Sequence, residues 1–284
     1  MLRGSTFTDN GLLIFTPEER NSLIDSYPNA SKYFKKAIGS QEFIKGINRW
    51  CLLISDSQLQ DAVNIPEIKK RLDLITDFRL KSKAKSTVSF AKKPHVYKQY
   101  QHKESNGIIV PRVSSIRRDY IPAGHVTKDD VILDSAQVMY DSDVHMLGII
   151  SSKMHIVWVK ITAGRLKSDF RYSSAVSYNH FPFPTISKQR KEELTQCTLN
   201  IIDERLKHSE KTLAQLYDPD KMPTGLREAH HQNDLAVERC YRSTPFTSDE
   251  ERLEYLFKLY EKMIQEEKDK DTLFAKEKKI RKRK

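Results

Sequence analysis

The tetrapeptide Phe181-Pro182-Phe183-Pro184 divides this chain more sharply than any other feature. Two prolines in four residues restrict the backbone and remove two amide donors, so neither a helix nor a central strand runs through them. The two phenylalanines anchor the exit. Before this point the sequence breaks into short segments separated by turn-forming pairs such as Asn106-Gly107 and Ala123-Gly124. Beyond it only helical periodicity is found. The expectation is an α+β fold: a mixed-sheet domain over residues 1–185, an all-α helical domain over 186–266, and a basic, frayed tail over 267–284.

Pro17-Glu18-Glu19-Arg20 opens a helix with Leu23 and Ile24 on its apolar side, because proline and carboxylates suit a first turn. The spacing of Tyr33, Phe34 and Ala37 predicts a second helix from Ala30 to Ile38, closed by Gly39. Trp50 to Ile54 reads as a buried strand, and Ile68, Leu72 and Ile75 set a helix from Ile65 to Phe78. Lys81 to His102 is expected as a loop or an exposed helix extension. Strands are expected at Thr87–Phe90, Ile108–Val113, Asp119–Pro122, Val131–Leu133, Val138–Tyr140 and Leu147–Ser151. A helix from Met154 to Leu166 and a strand from Tyr172 to Tyr178 complete the first domain. In the second, Ser187 precedes a helix presenting Leu194, Cys197 and Ile201. A short helix carries Leu213 and Leu216, and Pro223 begins another. Ser248-Asp249-Glu250-Glu251 matches a capping box ahead of an amphipathic stripe through Leu253, Leu256, Phe257 and Tyr260.

At 284 residues with 38% hydrophobic and 31% charged content, the chain has ample material for a core and is not of disordered composition. No apolar run approaches the roughly 18 residues a membrane helix needs, and the start has no apolar signal region. Cys51, Cys197 and Cys240 lie far apart, which points to buried thiols in a reducing compartment. Charge is concentrated: residues 67–118 hold fourteen basic and four acidic side chains, nearly the whole formal net charge of +11. Such a local excess points to a polyanion.

From Ser151 to Pro184 an apolar run, Met154 to Ile161, gives way at Gly164 to Arg165, Lys167, Asp169, Arg171 and Tyr172. These are side chains that hydrogen-bond base edges and phosphates, and flanking apolar elements would hold them still. The tract S-x-M-H-x-x-W-V, then G-R-L, Y-S and Y-N-x-F-P-F-P resembles the target-recognition domain of MmeI-like DNA methyltransferases. Further matches run in the same order from Gly39-Ser40 and Arg49-Trp50-Cys51-Leu52, through Val110-Pro111-Arg112 and Arg118-Asp119-Tyr120-Ile121-Pro122. They continue in Leu216 to Pro223, Asn233-Asp234 and Leu256-Phe257.

The resemblance implies a sequence-specific DNA-binding portion of an adenine-specific, S-adenosylmethionine-dependent methyltransferase of a restriction-modification system. It also implies a catalytic region before Met1, so the chain is expected to be a C-terminal piece or a split gene product. Positions after G-R-L help to choose the base read, which carries over to Lys167, Asp169 and Arg171, with Ser135 as a further candidate. Arg and Lys donate to guanine and Asp accepts from the cytosine amino group. Lys81, Lys83, Lys85, Lys92, Lys93, Arg112, Arg117, Arg118 and Arg165 are the expected phosphate contacts. The implied partners are double-stranded DNA and a methyltransferase catalytic domain, fused or separate, in the cytoplasm of a bacterium or archaeon, with no membrane.

No cofactor is expected in this chain itself. Its nine glycines are too widely spaced for the loop that S-adenosylmethionine needs, and the D/N-P-P-Y/F motif is missing; Tyr217-Asp218-Pro219-Asp220 lacks the second proline. The residues allow three other readings. Asp61, Glu67 and Lys69 form D-x5-E-x-K, as in metal-dependent nucleases, although a helix opening with an acidic residue explains Glu67 equally. His230 and Asp234 share a helix face, as a metal or general-base pair or as a buried polar pair. The basic face also suits a non-catalytic module that binds RNA or an acidic protein.

Overall fold

Residues 1–140 build two four-stranded sheets from short strands, of which the Gly107–Pro111 and Asp130–Ile132 strands are buried throughout. The first is antiparallel throughout, with β1 (Leu2–Arg3), β9 (Ala136–Tyr140), β5 (Gly107–Pro111) and β7 (Gly124–Val126) side by side in that order. The second places β2 (Ile14–Phe15), β4 (Trp50–Leu52), β3 (Phe34–Ile38) and β8 (Asp130–Ile132) side by side, and only β3 and β8 run parallel. A further short strand, β6 (Val113–Ser114), follows β5 after Arg112. Six helices belong with these sheets: α1 (Pro17–Ser26), α2 (Ser40–Lys45), α3 (Leu59–Ala62), α4 (Pro66–Leu80), α5 (Lys85–Ser89) and α9 (Leu213–Leu216). This computed structural model describes residues 1–167 and 169–281, with side chains up to residue 269.

The chain forms two compact units that interleave in sequence. Met1–Ser114, Pro122–Asp143 and His208–Lys221 make the first; Ser115–Ile121, Val144–Lys207 and the chain from Met222 onward make the second. The core of the first unit gathers Phe7, Phe15, Tyr33, Leu52, Ile68 and Ile75, with a satellite cluster of Ile38, Ile109, Ile132 and Val138. The second unit contains α6 (Val144–Ile150), α7 (Lys153–Thr162), β10 (Gly164–Leu166), β11 (Asp169–Arg171), α8 (Lys188–Leu206), α10 (Thr224–Tyr241) and α11 (Asp249–Arg281). Its core joins Met154, Val157, Trp158, Phe181, Leu194, Val237 and Leu256. Gly148 is what lets α6 nest against α8 and α10. A Cβ there would lie 2.3 Å from Thr198 Oγ1 and 2.7 Å from Asn233 Oδ1, and Asn233 Nδ2 donates to the Gly148 carbonyl at 2.9 Å.

The α+β class is as expected, but several elements differ. Residues expected as a helix from Ala30 to Ile38 form a 3-10 turn, Pro28–Tyr33, and then strand β3. The helical spacing of Tyr33, Phe34 and Ala37 yields to ladder bonds on both edges, with β4 and β8. Thr87–Phe90 lies on α5 and a following 3-10 turn, Asp119–Pro122 is irregular, and Leu147–Ser151 falls on α6 instead of a strand. The expected strand at Tyr172–Tyr178 is a π turn over Ser174–Tyr178. The helix from Met154 ends at Thr162, and the rest of that segment is β10. At the start of α11, Ser248 Oγ accepts the Glu251 N–H at 3.1 Å, but the returning carboxylate bonds Thr247, not Ser248. The expected fraying beyond Glu266 falls largely on residues outside those described with side chains.

One basic residue has no surface role. Arg79, near the end of α4, is fully buried, and its guanidinium donates five hydrogen bonds to carbonyls of Phe7, Thr8, Phe90, Lys93 and Val96 at 2.8–3.1 Å. Arg71 is likewise structural: it lies 3.9 Å over the Phe15 ring and pairs with Glu19 and Glu67. The basic excess of residues 67–118 is therefore not all surface. Arg79→Lys keeps the charge but offers at most three donors. It is expected to cost about 3 kcal/mol or more, since several buried carbonyls lose their donor. A lower urea midpoint at unchanged slope checks this; an unchanged midpoint refutes it.

Candidate nucleic-acid interface

Gly164 ends the influence of α7 and starts a hairpin. β10 and β11 pair antiparallel with Gly164 opposite Arg171, Arg165 opposite Phe170 and Leu166 opposite Asp169. Strand periodicity then sorts the side chains. Phe170 is 2% exposed and Tyr172, one step past the strand, 3%; Arg171 is exposed and Asp169 half-buried. Arg165, across from Phe170, lays its guanidinium 4.7 Å over that ring. Lys167 sits in the two-residue connection with φ of 56°, a left-handed conformation that a tight hairpin turn requires and an ordinary side chain adopts at some cost.

The inner face of this hairpin is fastened to the core. Tyr172 Oη is 2.9 Å from Nε2 of His155, a fully buried residue of α7 whose pKa burial pushes down to about 3, so its ring stays neutral. His155 meets Phe181 edge to face at 4.6 Å, and Trp158 packs against Phe181, Phe257 and Tyr260. The Pro182 carbonyl accepts from Tyr241 Oη at 3.0 Å. The Phe-Pro-Phe-Pro tract thus anchors the segment through Phe181 and Pro182, while Phe183 is at the surface.

On the outer face, Asp169 and Arg171 are two residues apart, roughly 7 Å along the strand. Among the described residues neither their side chains nor that of Lys167 takes part in a hydrogen bond or ion pair, so the internal Asp169–Arg171 pair that two such neighbours invite does not form. A donor, an acceptor and a tip lysine are left facing outward. Leu166, 49% exposed, lies opposite Asp169; nothing in the sequence marked it as part of this face.

Ser135 belongs to the first unit. Its Oγ accepts the Ser40 N–H at 3.0 Å and its carbonyl accepts from Ser40 Oγ and from the Arg112 N–H, so one hydroxyl proton is what it has left to donate. Lys81, Lys83, Lys85 and Lys92 are exposed along the end of α4, α5 and the turn after it, with no ion pair among the described residues. Lys93 is exposed but pairs with Asp56 at 2.7 Å, and Arg112 Nη1 donates to the Asp134 carbonyl at 2.6 Å. Arg117 and Arg118 belong to the second unit, on a turn where the Arg118 N–H donates to the Ser115 carbonyl.

The other polar constellations are structural. Asp61 binds Lys32 and the Tyr33 hydroxyl, and Glu67 pairs with Arg71, so the D-x5-E-x-K carboxylates are engaged separately. Among the described residues no three His, Cys, Asp or Glu side chains gather as a metal site would need. No described helix is long and apolar enough to cross a membrane. His230 stacks on Tyr120 at 4.1 Å, and burial keeps its pKa well below the usual value. Asp234 accepts the Lys153 N–H, at the first turn of α7, at 2.6 Å and the Tyr120 hydroxyl at 2.8 Å. Asp234 therefore takes up the first amide of the helix that carries the hairpin, beside the N-cap Ser152. Of the three thiols, Cys51 is buried, whereas Cys197 and Cys240 are only partly so.

Residues 1–185 match the family described as MmeI, target recognition domain, and residues 186–266 the family described as MmeI, C-terminal domain. DNA methyltransferase A of Bacillus subtilis (strain 168) is 42% identical over 262 residues, which is 92% of this chain and 30% of that protein. A solved structure of the type IIL restriction-modification enzyme MmeI in complex with DNA superposes with a TM-score of 0.90 at 31% identity. That match covers 93% of this chain and 35% of that one. The chain spans about a third of the length of these relatives.

Burial raises the Asp234 carboxyl to about 7, against the pull of the Lys153 amide and the Tyr120 hydroxyl. The folded protein holds this proton more tightly than the unfolded chain, where the value is roughly 3.9. The associated stability is complete below pH ~4 and is lost as the pH rises to about 7. Unfolding titrations of the protein and of Asp234→Asn are expected to show their difference moving in the variant's favour between these limits. A difference independent of pH refutes this.

Proposed function

Because the chain belongs to the MmeI family, comprising its target-recognition and C-terminal domains, we propose that it is the DNA-reading part of a restriction-modification methyltransferase. In this reading the whole enzyme is adenine-specific, uses S-adenosylmethionine and works in the cytoplasm of a bacterium or archaeon. The observation that carries it is the hairpin: a rigidly rooted inner face and an outer face whose Asp169, Arg171 and Lys167 are engaged by nothing else among the described residues. A β-hairpin can present its outer face to the major groove, and side chains two residues apart match about two base-pair steps. Arg171 and Lys167 would donate to guanine and Asp169 accept from a cytosine amino group, with Ser135 able to give one further hydrogen bond.

Lys81, Lys83, Lys85 and Lys92 would hold phosphates and set orientation without reading sequence, joined by Lys93, Arg112, Arg117, Arg118 and Arg165. Lys93 must exchange Asp56 for a phosphate, a small loss for an exposed pair. The residues of this chain do not fit S-adenosylmethionine, since no two glycines stand close enough to form its loop. Methyl transfer therefore falls to a catalytic domain, fused or separate. Flipping the target adenine there costs a few kcal/mol, which the specific contacts offset.

Binding of duplex DNA by this chain is expected to weaken linearly in log[salt]. Removing Lys83 and Lys85 should reduce the slope by about one for each phosphate that is no longer neutralised. Filter binding over a salt series checks both; affinity indifferent to salt, or equal affinity for RNA, favours the alternative of a general interaction module. Replacing Asp169 or Arg171 within the whole enzyme is expected to remove about 1–3 kcal/mol of discrimination at one base pair. Sequencing of the methylated sites reads this out, and an unchanged site with lowered stability contradicts it.

A further inference from the structure

Arginines stack on aromatic rings in several parts of this chain, and most of them are also bonded within the fold. Arg71 lies 3.9 Å over Phe15 while binding Glu19, Glu67 and the Leu12 carbonyl. Arg242 lies 3.7 Å over Phe246 and donates to Glu251 and to the Thr244 and Pro245 carbonyls. Arg20, 4.0 Å over Trp50, donates to the Asn21 side chain. Arg165 differs. Its guanidinium stands 4.7 Å over Phe170, yet among the described residues it makes no hydrogen bond or ion pair.

A ring attracts a guanidinium to its face and leaves the N–H groups at the cation's edge free. Such a cation is fixed in place with all five donors still available. The ring beneath it is itself fixed, because Phe170 is buried in the core side of the hairpin. Register sets Arg165 directly opposite Phe170, so both leave from the inner face, away from Asp169 and Arg171. Arg165 is nonetheless exposed, on a strand that is exposed along its whole length.

We propose that Phe170 is a positioning residue, its ring holding the Arg165 guanidinium ready for one DNA phosphate at the rim of the groove. The inference rests on the reading of the hairpin's outer face as the base-reading surface. With that face toward base edges, a cation rooted on the inner face reaches past β10 to the phosphates flanking the groove, not to its floor. A free arginine loses side-chain freedom when it takes a phosphate; one already held on a ring loses less. Its planar fork suits both the ring and a two-bonded phosphate contact, which an ammonium group does not.

The test measures binding of the whole chain to a mixed-sequence DNA duplex over a salt series, for the wild type, Arg165→Ala, Phe170→Leu and the double variant. Removing Arg165 is expected to lower the slope of log K against log[salt] by about one, the share of one phosphate. Phe170→Leu keeps the charge, so the slope should hold while affinity falls about three- to fivefold, the worth of an exposed cation–π contact. In the Arg165→Ala background the same substitution should cost no further affinity. An equal loss with and without Arg165 makes Phe170 purely structural and overturns the proposal, as does a slope that Arg165→Ala leaves unchanged. Wild-type binding that ignores salt removes the DNA reading itself, and this inference with it. If the urea transition shows that Phe170→Leu does not fold, Arg165→Lys takes its place, with charge kept and stacking weakened. It is expected to lose affinity at an unchanged slope, and affinity equal to the wild type overturns the proposal.

Discussion

The buried guanidinium of Arg79 is the constraint on which the first unit depends. A charge taken out of water must recover its hydration from the protein, and here it does so without a carboxylate partner, through five carbonyls on two separate stretches of chain. Burial accordingly lowers its pKa, although a guanidinium remains charged. The consequence is geometric. Phe7 and Thr8 are tied to the Phe90–Val96 stretch, which otherwise has little regular structure to hold it. That stretch carries Lys92 and Lys93 on its outside, while His95 is buried with its Nε2 against Asp56. One interaction therefore positions a cationic surface from the protein's interior.

In the second unit the equivalent fixing is done by aromatic packing and one helix cap. Asp234 holds the first amide of α7, and α7 carries His155 and Trp158 into the core. His155 binds Tyr172, which ends the hairpin's buried face. Each step is buried, although His155 Nδ1 and Trp158 Nε1 find no hydrogen-bond partner among the described residues. The hairpin is short, and a pair of strands is marginal in water without further packing, so this chain of contacts contributes to its order. The same device explains why a titratable carboxyl is tolerated inside: Asp234 can carry its proton near neutral pH and still accept from Lys153.

How much of this was legible depended on whether the signal was local. Helices with caps were readable: Pro17 and Pro66 at first turns, Ser187 and Ser248 as caps, and the apolar stripe of Ile68, Leu72 and Ile75. Residues 34–38 misled because Tyr33, Phe34 and Ala37 fit a helix, and only non-local pairing with β4 and β8 decides otherwise. Leu147–Ser151 misled in the opposite direction. Its apolar residues around Gly148 suit a strand, yet the glycine serves a three-helix contact that the sequence does not display. The polar side chains after Gly164 stood out, with family resemblance pointing to Lys167, Asp169 and Arg171, but the hairpin that carries them did not, because its first strand read as the end of a helix from Met154. Arg79 was invisible, because an arginine in a basic stretch reads as solvated until its five partners are seen.

The two faces of the hairpin answer different demands, and this separates what can vary from what cannot. Phe170 and Tyr172 are buried and carry the fold, so a polar or smaller residue at either position opens a void or breaks the bond to His155. The side chains of Asp169, Arg171 and Lys167 make no hydrogen bond or ion pair with a described residue, so exchanging their donors and acceptors breaks no such bond inside the fold. Only the left-handed backbone at Lys167 sets a limit there, favouring residues such as Asn or Gly that adopt it readily. A β-ribbon whose period-two alternation puts packing on one face and chemistry on the other can change what it offers a ligand without repaying the loss in stability elsewhere. Helix α7 lacks that freedom, since Met154 to Val159 are buried continuously and every exposed position comes at its last turn.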